Sequence, residues 1–285
     1  MNGMLLSGLK SARKTFAEEG ILFYPAIFEG DELERLRVAC DYVLDQHMAD
    51  LESRSPEDAN ISHSMRHLSQ SCWHRQTREH WKVIMETVAD PRCLGPVEQI
   101  FTQPSLFRCT SLFFNPRGGG MEGNWHRDPQ FTHKEEAEVK AYLESIKGAS
   151  STNGLQFQIA LVDNDDVEYV PFSAARYDAP EEYKIRCEDD RSHNRESGMP
   201  NAMRVHLRAG DAVIFNPNGL HRGRYWPQNP RRTLMLTYTP STQPHCDFFS
   251  KQPWMLEPGY LDGLSPRARV YFEEFIATYR DFWLQ

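Results

Sequence analysis

Apolar positions along the chain follow two rhythms. Up to about residue 104 they recur mostly at helical intervals. Residues 5–19 alternate apolar and charged side chains in this way, and "GILFYPAIF" (20–28) then reads as a short buried strand broken by Pro25. In "EGDELERLRVACDYVLDQHMADL", Leu33, Leu36, Ala39, Tyr42 and Val43 make one stripe behind an Asp31 N-cap, which predicts an amphipathic helix. Residues 52–76 are polar, interrupted by proline and rich in histidine (His63, His67, His74). They read as a long irregular loop with solvated histidines. Helices are predicted over about 77–89 and 92–102.

From about residue 105 the period shortens. "SLFRCTSLFFNP", "LQFQIALVD", "VEYVPFSAA", "AMRVHLRAGDAVIFNP" and "RRTLMLTYTP" are short β-rich segments set apart by Gly, Pro, Asn and Asp, the rhythm of an antiparallel sandwich or jelly roll. "SPRARVYFEEFIATYRDFW" carries an N-cap serine and a proline at the first helical position, so the chain ends in a helix. The expected class is α+β. A jelly-roll, cupin-like β core (about 105–243) lies between a helical N-terminal part (1–104) and a C-terminal helix (about 265–282), all as one domain over 1–285.

Composition narrows the function. With 40% apolar and 25% charged residues, the chain is globular, and no run of eighteen apolar residues predicts a membrane span. The N-terminal stretch lacks signal-peptide order. A formal charge of −8 argues against a nucleic-acid partner and leans towards a neutral or cationic small molecule. Six scattered cysteines without a Cys-x-x-Cys pair point to reduced structural thiols and a cytoplasmic setting.

One segment changes the picture. "GNWHRDPQF" sets His126 and Asp128 two apart, which on a strand puts both on one face. His245-x-Asp247 has the same spacing and His133-x-Glu135 a similar one. The former has no histidine after it, and the latter stands in a charged stretch read as helical. After His126, by contrast, a turn at Gly210-Asp211 launches an apolar strand that ends near His221. Two histidines and a carboxylate leave three sites of an octahedral metal open, the ligand set of non-haem Fe(II) oxygenases. The bland alternative is a buried histidine bonded to an aspartate. Beyond His221, "NPRRTLMLTY" opens with two arginines. Either offers a planar fork for the C5 carboxylate of 2-oxoglutarate. Arg231 is preferred because Thr233 shares its face, whereas Arg232 points away with Leu234 and Leu236. Gln156 and Gln158 share a strand face, turned either to the cavity or to solvent. The "RGGGMEG" loop is read as a flexible turn rather than a lid. Asp165, Asp166 and Glu168 hint at an amine-bearing substrate or make a solvated turn.

Most of the chain resembles the phytanoyl-CoA dioxygenase family of Fe(II)- and 2-oxoglutarate-dependent oxygenases. The likeness runs through "FAEEGILFYPAIFEGDELERLRVACDYVL", "NWHRD", "VEYVPFSAAR", "GDAVIFNPNGLHRG" and "PRRTLMLTY". The resemblance implies iron on His126, Asp128 and His221, and 2-oxoglutarate on an arginine ten or eleven positions after the distal histidine. It implies O2 as co-substrate, ascorbate as a reductant, and hydroxylation of a small molecule with release of succinate and CO2. Asp128, where a halogenase would leave room for halide, speaks for hydroxylation. Asn115 stands where the family often has lysine and Gln158 where a tryptophan often faces the cofactor, so both are expected beside it. Asp165-Asp166 replaces the customary Asn-Gly turn, and Pro171-Phe172-Ser173-Ala174 replaces Pro-Gly-Ser-His, which puts an acyl-CoA substrate in doubt. Trp125, Phe131 and the 52–76 segment are expected to exclude water, and the chain to act as a monomer or homodimer. Two rivals stand: a cupin-like metal-binding module, and an O2-independent metal-dependent isomerase or hydrolase.

Overall fold

The change of apolar period near residue 105 coincides with the longest strand. The computed structural model describes residues 12–146 and 153–285, so residues 5–11 of the first predicted helix lie outside the described residues. A helix over 12–19 (α1) leads into β1 (Ile21–Tyr24), α2 (Gly30–Arg54), α3 (Pro56–Ile61), β2 (Ser64–Arg66), α4 (Glu79–Val88) and α5 (Pro91–Phe101). The β-rich part holds β3 (Ser105–Phe114), β4 (Met121–Glu122), β5 (Leu155–Ala160), β6 (Asn164–Tyr169), β7 (Met203–Leu207), β8 (Ala212–Phe215), β9 (His221–Tyr225) and β10 (Arg232–Pro240). Short helices α6 (Pro129–Thr132), α7 (Glu136–Ser145), α8 (Pro180–Arg186) and α9 (Glu188–Arg191) interrupt it, and α10 (Pro266–Trp283) follows.

The strands form two sheets, ordered β1-β8-β5-β10-β3-β2 and β4-β9-β6-β7, with every pairing antiparallel. One face of the larger sheet is covered by helices: Leu112, Leu234 and Leu236 share a core with Leu36, Ile84 and Phe272. The other face meets the smaller sheet, where Ala160, Val213 and Phe215 pack on Val167, Tyr169 and Val205. Burying Leu234 and Leu236 is worth about 2 kcal/mol each, and a one-residue slip would expel both from the helix-covered face. Their burial therefore turns positions 231, 233, 235 and 237 towards the space between the sheets.

Two parts of the N-terminal half differ from expectation. Helix α2 starts at Gly30 without a side-chain cap, so Asp31 lies in its first turn, where it favours the helix dipole. Segment 52–76 is built, not loose. Ser55 caps α3, β2 pairs with β3, and a 3-10 turn covers Ser71–His74. His67 and His74 are buried, and desolvation pushes both imidazoles down to about 4, so they are neutral. His63 is half-buried, its ring 4.0 Å from that of Tyr225. Ala59, Met65, Leu68 and Trp73 anchor the segment, apolar residues that its polar composition hides. At the other end, Ser265 caps α10 as expected and also donates to Glu86 of α4 at 2.7 Å. Among the described residues no helix is long and apolar enough to cross a membrane.

Candidate metal centre

The chain leaves sheet geometry as soon as it has delivered its first ligand. His126 and His221 form an antiparallel bridge, each N–H donating to the other's carbonyl at 3.0 Å. Asp128 then adopts helical backbone ahead of Pro129, and its N–H donates to Pro217 O at 2.9 Å. A turn, not the pleat of one strand, thus brings His126 and Asp128 together. Nor does His221 end the apolar strand. β8 stops at Phe215, and the chain crosses to the second sheet, where His221 opens β9.

The ligand atoms of His126, Asp128 and His221 all lie within 4.8 Å of one another. The Nε2 atoms stand 3.8 Å (His126) and 3.6 Å (His221) from Asp128 Oδ1. Each Nδ1 faces a carbonyl two residues upstream, Asn124 O at 2.7 Å and Gly219 O at 2.9 Å. A carbonyl only accepts, so each Nδ1 carries the proton and each Nε2 keeps its lone pair for an ion. Burial above all holds His221 well below the ordinary histidine range, so it is a neutral donor. The Asp128 carboxyl reaches into a cavity whose walls desolvate it and raise its pKa. Gln156 Nε2 donates to Asp128 Oδ2 at 2.9 Å and leaves Oδ1 facing the imidazoles. Two imidazole nitrogens and one carboxylate oxygen suit a divalent transition metal. Among the described residues no other such cluster gathers.

Arg127, between two of these residues, points the other way into a buried charge network. Its Nε meets Asp178 at 2.8 Å, and its Nη1 donates to Ser173 O and Asn218 O at 2.7 and 2.5 Å. Asp178 is shared with Arg186, which also pairs with Glu136. Removing one member of such a buried pair costs about 3–5 kcal/mol, so Arg127 pins the ligand segment from behind. No sequence signal beyond its place between His126 and Asp128 marked it. Trp125 also faces away, packing on Val170, Met199 and Leu220 beneath Arg222, and does not line the site. Phe131 does, with its ring 5.5 Å from that of His126.

All three cluster residues line one cavity of about 680 Å³, together with Gln156, Gln158 and Arg231. Arg231 is buried, its guanidinium stacked 4.8 Å from the Phe113 ring and 4.7 Å from that of Tyr225. Its Nη1 donates to Arg224 O at 2.9 Å. Gly223 leaves room for this side chain, since a Cβ there would meet Arg231 Nη1 at 2.9 Å. Arg232 faces the helices and pairs with Asp41 at 2.6 Å. Thr233 is buried on the Arg231 face but is not in the cavity wall.

Gln158 is in that wall; its Oε1 is buried without a partner, and its Nε2 lies 3.6 Å from Met235 Sδ. Asn115 is not. It donates to Trp226 O and Asn229 O and accepts from the Arg231 N–H at 2.8 Å, which fixes the turn that aims Arg231. The glutamines therefore sit on a central strand facing the cavity, not an exposed edge.

The acidic trio is neither a solvated turn nor an open amine site. Asp165 pairs with Arg224, and Glu168 with Arg204 and Arg222. Asp166 is buried 3.7 Å from Arg231 Nε, and desolvation raises its carboxyl to about 6. His133 and Glu135 fall between α6 and α7, not inside a helix. Within "RGGGMEG", Met121–Glu122 forms strand β4 against β9.

Several solved structures share this fold. EctD from S. alaskensis with bound Fe matches at TM-score 0.54 and 18% identity over 88% of this chain and 82% of that one. HygX from Streptomyces hygroscopicus, solved with nickel and 2-oxoglutarate, matches at 0.52 and 18% over 81% and 87%. The α-ketoglutarate-dependent carbocyclase SnoK from nogalamycin biosynthesis matches at 0.53 and 19% over 81% and 84%. No curated protein matches the sequence. The profile of the phytanoyl-CoA dioxygenase family spans residues 16–225, from within α1 through all three cluster residues to the last residue of β9. The chain belongs to the phytanoyl-CoA dioxygenase family.

Proposed function

We infer that this protein is an iron(II)- and 2-oxoglutarate-dependent oxygenase that hydroxylates a small molecule. One observation carries the reading: two imidazoles with free Nε2 lone pairs and a carboxylate share a cavity with a buried arginine held between the rings of Phe113 and Tyr225. His126, Asp128 and His221 would hold the metal, and the Arg231 fork would take the C5 carboxylate of 2-oxoglutarate. The two antiparallel sheets are read as the family's double-stranded β-helix, which brings the residues together although His126 and His221 lie far apart in sequence. Bound together, iron and the oxo acid supply O2 activation, with oxidative decarboxylation to succinate and CO2.

The rest falls to the chain's own groups. Asn124 O and Gly219 O hold the imidazole protons on Nδ1 and so orient the ligands. Gln156 orients the carboxylate, and Asn115 aims Arg231 through its backbone. Gln158, in the same wall, keeps a buried Oε1 without a partner as a spare acceptor. Phe113 and Tyr225 keep water off the guanidinium faces.

The deciding experiment is an anaerobic titration of the Fe(II)-loaded protein with 2-oxoglutarate. A weak visible charge-transfer band is expected in the wild type and not in Asp128→Ala. No band in the wild type would sink the assignment, and turnover of a substrate without O2 would favour an isomerase or hydrolase instead.

A further inference from the structure

We propose that the β2–β3 wall of the cavity is an anion-recognition subsite built on Arg66, with Arg108 lining the same cavity, and that the substrate carries an acidic group, a carboxylate or a phosphate. That the bound molecule is a substrate rests on the oxygenase reading above; that the wall binds an acid does not.

The protein as a whole is acidic, with a formal charge of −8, yet the cavity reverses that sign. Four arginines and two aspartates line it, with no lysine or glutamate. Most of these charges are spoken for. Asp128 belongs to the metal cluster. Arg222 is neutralised from outside the wall by Glu168 at 2.5 Å and Glu122 at 3.7 Å. Arg231 has Asp166 at 3.7 Å and is assigned to the cofactor. Arg108 pairs with Asp247.

Arg66 remains. Among the described residues it pairs with no carboxylate. Its contacts are a long hydrogen bond to Met65 O at 3.4 Å and the face of Phe113 at 5.1 Å. A guanidinium left unpaired in a partly enclosed space offers its fork to an oxyanion.

Arg108 reaches the same space through an irregularity of the backbone. The β3–β10 register runs Thr237↔Cys109 and then Tyr238↔Phe107, so Arg108 is the extra residue of a bulge. Strict alternation from Leu112 would send Arg108 to the helix-covered face, and the bulge re-aims it into the cavity. Asp247 engages only its Nη2, and its Nε is buried without a partner. Phe249 against this guanidinium at 5.1 Å and the exposed Phe248 supply apolar surface for the body of the same molecule.

The test uses Fe(II)-loaded protein, anaerobic and saturated with 2-oxoglutarate. It is titrated calorimetrically with octanoate, octyl phosphate and octanamide, which share one chain length. At least one anion is expected to bind about tenfold tighter than the amide, and the order of the two anions tells carboxylate from phosphate. Arg66→Gln should erase that preference and Arg66→Lys restore part of it, while 2-oxoglutarate affinity stays within about twofold.

Equal binding of octanamide, a preference that survives in Arg66→Gln, or no binding by any of the three would overturn the proposal. Calorimetry reads the probes independently of the charge-transfer band. Loss of the band with the anion preference intact would remove the cofactor reading and leave the subsite standing.

Discussion

His126-x-Asp128 and His245-x-Asp247 have identical spacing, and both line the same cavity, yet they are chemically opposite. In the first pair both imidazole protons of the site are tied to backbone, and the lone pairs converge. In the second the carboxylate is already spent, and no third ligand gathers with it among the described residues. His245 Nε2 is bonded to Asn153 O at 3.0 Å. Asp247 takes the N–H groups of Phe249 and Ser250 on one oxygen and Arg108 on the other. The difference lies outside the motif, in what each donor atom touches. A His-x-Asp spacing is a ligand pair only where its carboxylate keeps a free oxygen and a third donor converges on it.

The sharpest way to break this contrast is Asp128→Ala, which should lower Fe(II) affinity by about 100-fold or more, as for a lost first ligand. Equilibrium dialysis against Fe(II) checks it, and unchanged loading would move the metal elsewhere. Next comes Arg231→Met, expected to weaken 2-oxoglutarate by about 10- to 100-fold through loss of charge-assisted hydrogen bonds. Its neighbour Arg232→Met should leave that constant within about twofold, and a reversal of the two would reassign the cofactor arginine. Gln156→Leu removes only the bond that orients Asp128, so a loss of about tenfold in metal affinity is expected, at the low end for an outer partner of a ligand. Asp247→Asn is the smallest, with Fe(II) binding unchanged within about twofold. A larger drop there would mean that the second pair contributes to the metal after all.

The parts of the site that were legible in sequence are those written in local spacing. Strand alternation separated Arg231 from Arg232, whereas His221, expected at the end of the apolar run after Gly210-Asp211, opens the next strand instead. What stayed hidden depends on partners distant along the chain. Arg127 has meaning only beside Asp178, and the role of Asn115 only beside the turn at Trp226 and Asn229. The bulge at Arg108 is a mismatch between two strands and cannot be read from either alone. The acidic trio was misread for the same reason. Its counter-charges on β7 and β9 and at the start of β10 are remote in sequence, and a formal charge of −8 says nothing about the sign inside a cavity. The 52–76 segment was misjudged because four buried apolar residues, Ala59, Met65, Leu68 and Trp73, are spread among polar neighbours.

The reciprocal hydrogen bonds between residues 126 and 221 do more than set ligand spacing. They make the centre a seam, stitched only when chain segments from opposite ends of the β region lie side by side. A fragment ending before the second histidine would own two donors and no place to use them. Ligand capture therefore reports completed assembly of the whole β region rather than local order around either histidine.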